Sequence, residues 1–140
     1  MNTLAIIKNI KEVVLLITKN VTIKITGDRA TLSEKIILYR DDKGIDIYFT
    51  LSGFSYKFNK DNLSGVVVDA RILKPSGDVV VVDNLAVSGT NKIKFTIDNT
   101  MTDELTEIGK HKLQISLYDD STKTNRITIP PIEFEVKEQL

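Results

Sequence analysis

Ile45-Asp46-Ile47-Tyr48-Phe49-Thr50-Leu51 changes character at every step. A period of two puts Ile45, Ile47, Phe49 and Leu51 on one side of an extended chain and Asp46, Tyr48 and Thr50 on the other. That is a strand with one dry and one wet face, Tyr48 standing on the wet one. The pattern recurs to either side. Val21, Ile23 and Ile25 alternate with Thr22, Lys24 and Thr26, and Ile93, Phe95 and Ile97 with Lys92, Lys94 and Thr96. Leu113, Ile115 and Leu117 alternate with Lys112, Gln114 and Ser116, and Ile132, Phe134 and Val136 with Glu133, Glu135 and Lys137. Three other runs, Ile36 to Tyr39, Val66 to Leu73 and Val79 to Val82, are more uniformly apolar and read as strands central to a sheet or covered on both sides.

Composition points the same way. The 140 residues include 18 Ile, 12 Val and 14 Thr but only 4 Ala, so 44 are β-branched and the best helix former is scarce. Branching at Cβ restricts a side chain in a helix and suits a pleated sheet. Turn chemistry separates the runs. Asp41-Asp42-Lys43-Gly44 suits a turn in which Gly44 takes a positive φ, and Pro75-Ser76-Gly77-Asp78 sets Pro at a corner and Gly at a left-handed position. Ser88 to Asn91 and Asp119 to Asn125 suit two more hairpins. The reading is an all-β sandwich or barrel.

Two segments depart from this pattern. Thr102 to Gly109 reads as one helical turn near 102–108, capped by Thr102, with acidic residues at its positive end and Gly109 as its stop. In the leading extension, residues 1–20, Ile6, Ile10, Val13 and Ile17 fit helical spacing while the β-branched content favours strand; the balance leans to helix. The longest pure apolar run there, Val13 to Ile17, is shorter than a secretory core or a membrane span, so no targeting or spanning segment is expected. Residues 21–140 read as a single domain.

Several chemistries are poorly supplied. Nineteen Lys and Arg balance nineteen Asp and Glu, which removes the basic excess that draws a protein to nucleic acid. There is no cysteine and a single histidine, His111, so zinc-thiolate, multi-histidine and cysteine-nucleophile sites are excluded. His111 shares strand parity with Leu113 and Ile115 and reads as a hydrogen-bonded histidine at the sandwich rim rather than a base. Asp41/Asp42 and Asp119/Asp120 read as turn residues rather than cation ligands, and Glu104 and Glu107 as a solvated helical turn. No phosphate-binding glycine loop or nucleophile elbow occurs. The expectation is a protein that is not an enzyme and has no cofactor or metal. Tyr48, Phe54, Tyr56 and Phe58, with Lys57 and Lys60 nearby, remain as an interaction surface for a protein partner, with packing along one more strand as the simpler explanation.

From Ile36 onward the order of features is distinctive. Ile36-Ile37-Leu38-Tyr39-Arg40-Asp41-Asp42-Lys43-Gly44 leads to Lys74-Pro75-Ser76-Gly77, then to Gly109-Lys110-His111-Lys112-Leu113-Gln114-Ile115-Ser116-Leu117-Tyr118-Asp119, and closes on Ile127-Thr128-Ile129-Pro130-Pro131-Ile132-Glu133-Phe134-Glu135-Val136. This resembles the N-terminal domain family of phage baseplate upper proteins. The chain departs from that pattern at Asp41, where Gly is more usual, and in residues 1–20, which the pattern does not cover. The resemblance implies an immunoglobulin-like antiparallel β-sandwich of about 7–9 strands. It implies a structural part of a phage or prophage-derived tail baseplate, made in the host bacterial cytoplasm, connecting the tail hub to receptor-binding proteins. Partners would be other baseplate proteins, the distal tail protein and the receptor-binding protein, with self-association left open and neither nucleic acid nor membrane involved. The alternative is a carbohydrate-binding or adhesin-like sandwich contacting the host cell surface, whose polysaccharide binding would vanish in Tyr56→Ala. In either reading Pro130-Pro131, lacking N–H donors, belong at an edge or bulge just before the last strand.

Overall fold

A computed structural model of the chain describes residues 17–53, 63–89 and 91–140. The described strands are β1 (Ile17–Thr26), β2 (Arg29–Leu32), β3 (Ile37–Tyr39), β4 (Ile45–Ser52), β5 (Val67–Leu73), β6 (Val79–Val82), β7 (Ala86–Ser88), β8 (Lys92–Ile97), β9 (Gly109–Tyr118), β10 (Arg126–Thr128) and β11 (Ile132–Lys137). One helix, α1 (Asn99–Glu104), joins β8 to β9. Two sheets form a sandwich. One runs β2-β1-β4-β8-β7; the other runs β3-β11-β9-β5-β6, with β10 also on β9.

The alternating runs put their apolar sides inward as expected. Val21 and Ile23 of β1, Ile45, Ile47, Phe49 and Leu51 of β4, and Ile93, Phe95 and Ile97 of β8 are buried. They belong to one core with Val68, Ala70 and Ile72 of β5, Leu113, Ile115 and Leu117 of β9, and Phe134 and Val136 of β11. Burying an aliphatic or aromatic side chain of this kind contributes about 1.5–3 kcal/mol, so the alternation carries most of the drive to fold.

Four features differ from the sequence expectations. The sheets are mixed: β1 lies parallel to β4 over Ile17–Lys24, and β3 lies parallel to β11, while the other pairings are antiparallel. Parallel neighbours are distant in sequence and leave no turn signature to read. The strands also number eleven among the described residues, more than expected, because short edge pieces such as β2, β3, β7 and β10 pair as well. β1 starts at Ile17, so residues 17–20 of the leading extension belong to a sheet; the helical reading upstream of Ile17 lies outside the described residues.

The helix is the fourth. It begins at Asn99, capped by Asp98, whose Oδ1 accepts from the Met101 N–H at 2.9 Å. Thr102, the expected cap, lies inside it and donates its hydroxyl to the Asp42 carbonyl at 2.6 Å. Met101 and Leu105, one turn apart, are both buried; seating that pair places the helix upstream, with Asp98 free to cap it as β8 ends. Glu104 therefore sits in the last turn and pairs with Lys74 at 3.5 Å instead of meeting the positive end. Gly109 opens β9 rather than stopping a helix.

The turns and the proline bulge match their chemistry. Gly44 and Gly77 have φ of 77° and 99°. Asp41 also has a positive φ of 73°, a conformation that glycine adopts freely and that Asp tolerates better than most residues. β10 and β11 follow one another along the same side of β9. Thr128 faces Ser116, whereas Ile132 faces Leu113, so the paired numbers sum to 244 before the prolines and 245 after them. Pro130 and Pro131 thus carry one extra residue, a bulge where the ladder needs no donor.

Candidate functional site

Of the aromatic surface expected from the sequence, Tyr48 alone falls within the described residues; Phe54, Tyr56 and Phe58 lie outside them. Tyr48 stands on the outer face of the first sheet, half-buried, with Asn20 of β1 on one side and Lys94 of β8 on the other. Beside it Asp46 accepts the Thr96 hydroxyl at 2.8 Å and lies 3.8 Å from the Lys94 ammonium. Tyr48 is thus an aromatic set among polar side chains on the outer sheet face.

His111 is deeper than the expected rim position. It is fully buried, and its ring stacks on Phe134 across the β9–β11 pair, centroids 4.9 Å apart and planes 22° apart. Nδ1 lies 3.1 Å from the Gly109 carbonyl. A carbonyl only accepts, so Nδ1 carries the proton and Nε2 does not. Nε2 is buried with no partner among the described residues. Burial pushes the imidazole below its ordinary value, against the pull of the Gly109 carbonyl and the Glu107 carboxylate; Lys74 pushes it down as well. Held by the Gly109 carbonyl and stacked on Phe134, it is a neutral, packed histidine.

The carboxylates are engaged locally. Asp42 accepts the Tyr39 N–H at 3.1 Å, Asp119 accepts the Asn125 amide at 2.7 Å, and Glu107 accepts the Ser76 N–H and hydroxyl, both at 2.8 Å. Asp42 sits by the start of β9, where β3, β11 and Gly109 meet, and Asp119 follows its end, so the two acidic pairs lie at opposite ends of that strand. Among the described residues no cluster of His, Asp and Glu could hold a metal, and no helix is long and apolar enough to cross a membrane.

Two features escaped the sequence reading. Asp69 interrupts the apolar run of β5 and is nearly buried, its carboxylate accepting the Asn84 N–H at 2.9 Å and the Lys123 ammonium at 2.8 Å. Lys123 also lies 5.0 Å over the Tyr118 ring. Burial alone would raise the Asp69 carboxyl, but Lys123 and the Asn84 N–H outweigh it and hold it low. The lone acid inside an apolar run was the available signal. The second feature is an open groove of about 730 Å³ where β2 and the following loop face β11, lined by Leu32, Ile36 and Phe134 with Lys35, Lys110 and Glu133 at its margins.

No protein-family model and no curated protein matches the chain. Among solved structures it is similar to the N-terminal domain of ORF48 of phage TP901-1, with a TM-score of 0.59 and 11% identity, covering 87% of this chain and 99% of that one. At that identity the likeness concerns the fold: an all-β sandwich shared with a phage protein domain nearly end to end.

Proposed function

We propose that the protein is a non-enzymatic structural component of a phage or prophage-derived tail baseplate, connecting the tail hub to receptor-binding proteins. The observation that carries this is the shared sandwich, which spans nearly all of the ORF48 domain and most of this chain. It is supported by the order of sequence features from Ile36 to Val136 that resembles baseplate upper proteins. The charge balance suits assembly by shape and local pairing rather than by a bulk field. In this role the distal tail protein and the receptor-binding protein are the partners, and the virion tail is the location. The test is association: the chain, mixed with a distal tail protein, should elute as one complex of fixed stoichiometry. Failure to bind any tail component would overturn the proposal.

A further inference from the structure

β6 has the sequence of a covered strand and the position of an uncovered one. Val79-Val80-Val81-Val82 is apolar on both faces, which fits a strand flanked and roofed by others. Instead β6 ends its sheet, paired through β5 alone among the described strands. Val80 and Val82 turn toward the core, while Val79 and Val81 are 53% and 54% exposed. Leu73, opposite Val79, is 40% exposed and extends the apolar strip onto β5.

The backbone of this edge is open too. The Lys74 N–H donates to the Asp78 carbonyl at 2.9 Å. Stepping two residues along the antiparallel ladder makes Ile72–Val80 and Ala70–Val82 the hydrogen-bonded pairs. The N–H and C=O groups of Val79 and Val81 therefore point away from β5. Edge strands are normally blunted by lysine, proline or a bulge, and Val79–Val82 contains none of these.

The flanks say what fits there. Asp78 and Asp83 bracket the valines, and both are exposed. A second copy of β6, pairing antiparallel through its own outward Val79 and Val81, would set Asp78 against Val82 or Asn84 and Asp83 against Gly77 or Val79, so it offers neither carboxylate a cation. Lys123, held by Asp69, lies near enough to feel the charge of Asp83, so the Asp78 end carries the stronger demand for a cation. We propose that the β6 edge accepts an added strand from a partner protein, alternately apolar and flanked by basic residues, and this rests on the assembly role proposed above.

Two synthetic peptides and two variants of the full chain test it. In one peptide valine alternates with threonine between terminal lysines; in the other the termini are glutamate. The lysine peptide should slow amide exchange at Val79 and Val81, and the glutamate peptide should bind about tenfold more weakly, the difference shrinking with salt. Val81→Pro removes an outward N–H that β5 does not use, and Val81→Lys adds the usual edge blocker; each should weaken the lysine peptide at least about tenfold while leaving the unfolding midpoint near that of the parent. Equal binding of the two peptides, no slowing at Val79 and Val81, or exchange already slow in the free chain would overturn the inference, the last showing the edge covered by this chain or by a second copy. Two results separate it from the assembly role. If the parent chain binds no tail protein, the role fails and the peptides still decide the edge; if Val81→Pro binds the distal tail protein as the parent does, the role stands and the edge is not its contact.

Discussion

Protonating His111 sets a charge against the Phe134 ring with no acceptor for Nε2 among the described residues. The folded state therefore disfavours the cation, and its imidazole titrates below the ordinary 6.5. An unfolded chain takes up that proton as the pH drops through about 6.5, when the folded chain still does not. The stabilisation is complete above 6.5 and is lost as the pH falls from there through the lower folded value, with a slope of at most about 1.4 kcal/mol per pH unit. Urea unfolding between about pH 7 and pH 5 should show this decline in the parent and a flatter profile in His111→Phe. Parallel profiles would mean that the histidine is not buried neutral. The carboxylates are common to both proteins, so the difference between the two profiles isolates the histidine.

Two elements owe their ends to single residues. Removing the Asp98 carboxylate leaves the Met101 N–H without its cap, and Asp98→Ala should lower stability by about 1 kcal/mol in denaturant melts with an unchanged m-value. A cost near zero would return the capping role to another residue. Gly53 closes β4 at a φ of 72°, and a Cβ there would lie 2.5 Å from the Ile25 carbonyl oxygen of β1. Gly53→Ala should therefore cost about 2 kcal/mol or more, through backbone strain and a shift of the parallel β1–β4 pair; a thermal midpoint equal to the parent's would contradict that geometry. These elements also mark how far the residues could be read. The inner faces of β4, β8, β9 and β11 were legible because alternation is local and each apolar side found a core. The start of α1 was not, since Asp98 and Thr102 are both capable caps and the choice fell to the burial of Met101 and Leu105, which depends on the rest of the fold. The valines of β6 were legible as a strand but not as an edge, because position in a sheet is set by partners far along the chain.

At the scale of the whole molecule, two mixed sheets enclose one apolar core and leave polar faces, a half-buried Tyr48 and, among the described strands, the apolar β6 edge. The interaction surface foreseen from the sequence rested on four aromatics, and Tyr48 is the one now placed, between Asn20 and Lys94. The crossings that make the molecule a sandwich, β1 beside β4 and β3 beside β11, join segments with no mark in the local sequence. Under the assembly role proposed above, what the sandwich supplies is surface, and the central claim is an association. The most direct measurement is light scattering on the chain purified together with a distal tail protein. A single species whose mass equals a fixed sum of the two chains is the expected result; two separate species, each at its own mass, would contradict the account.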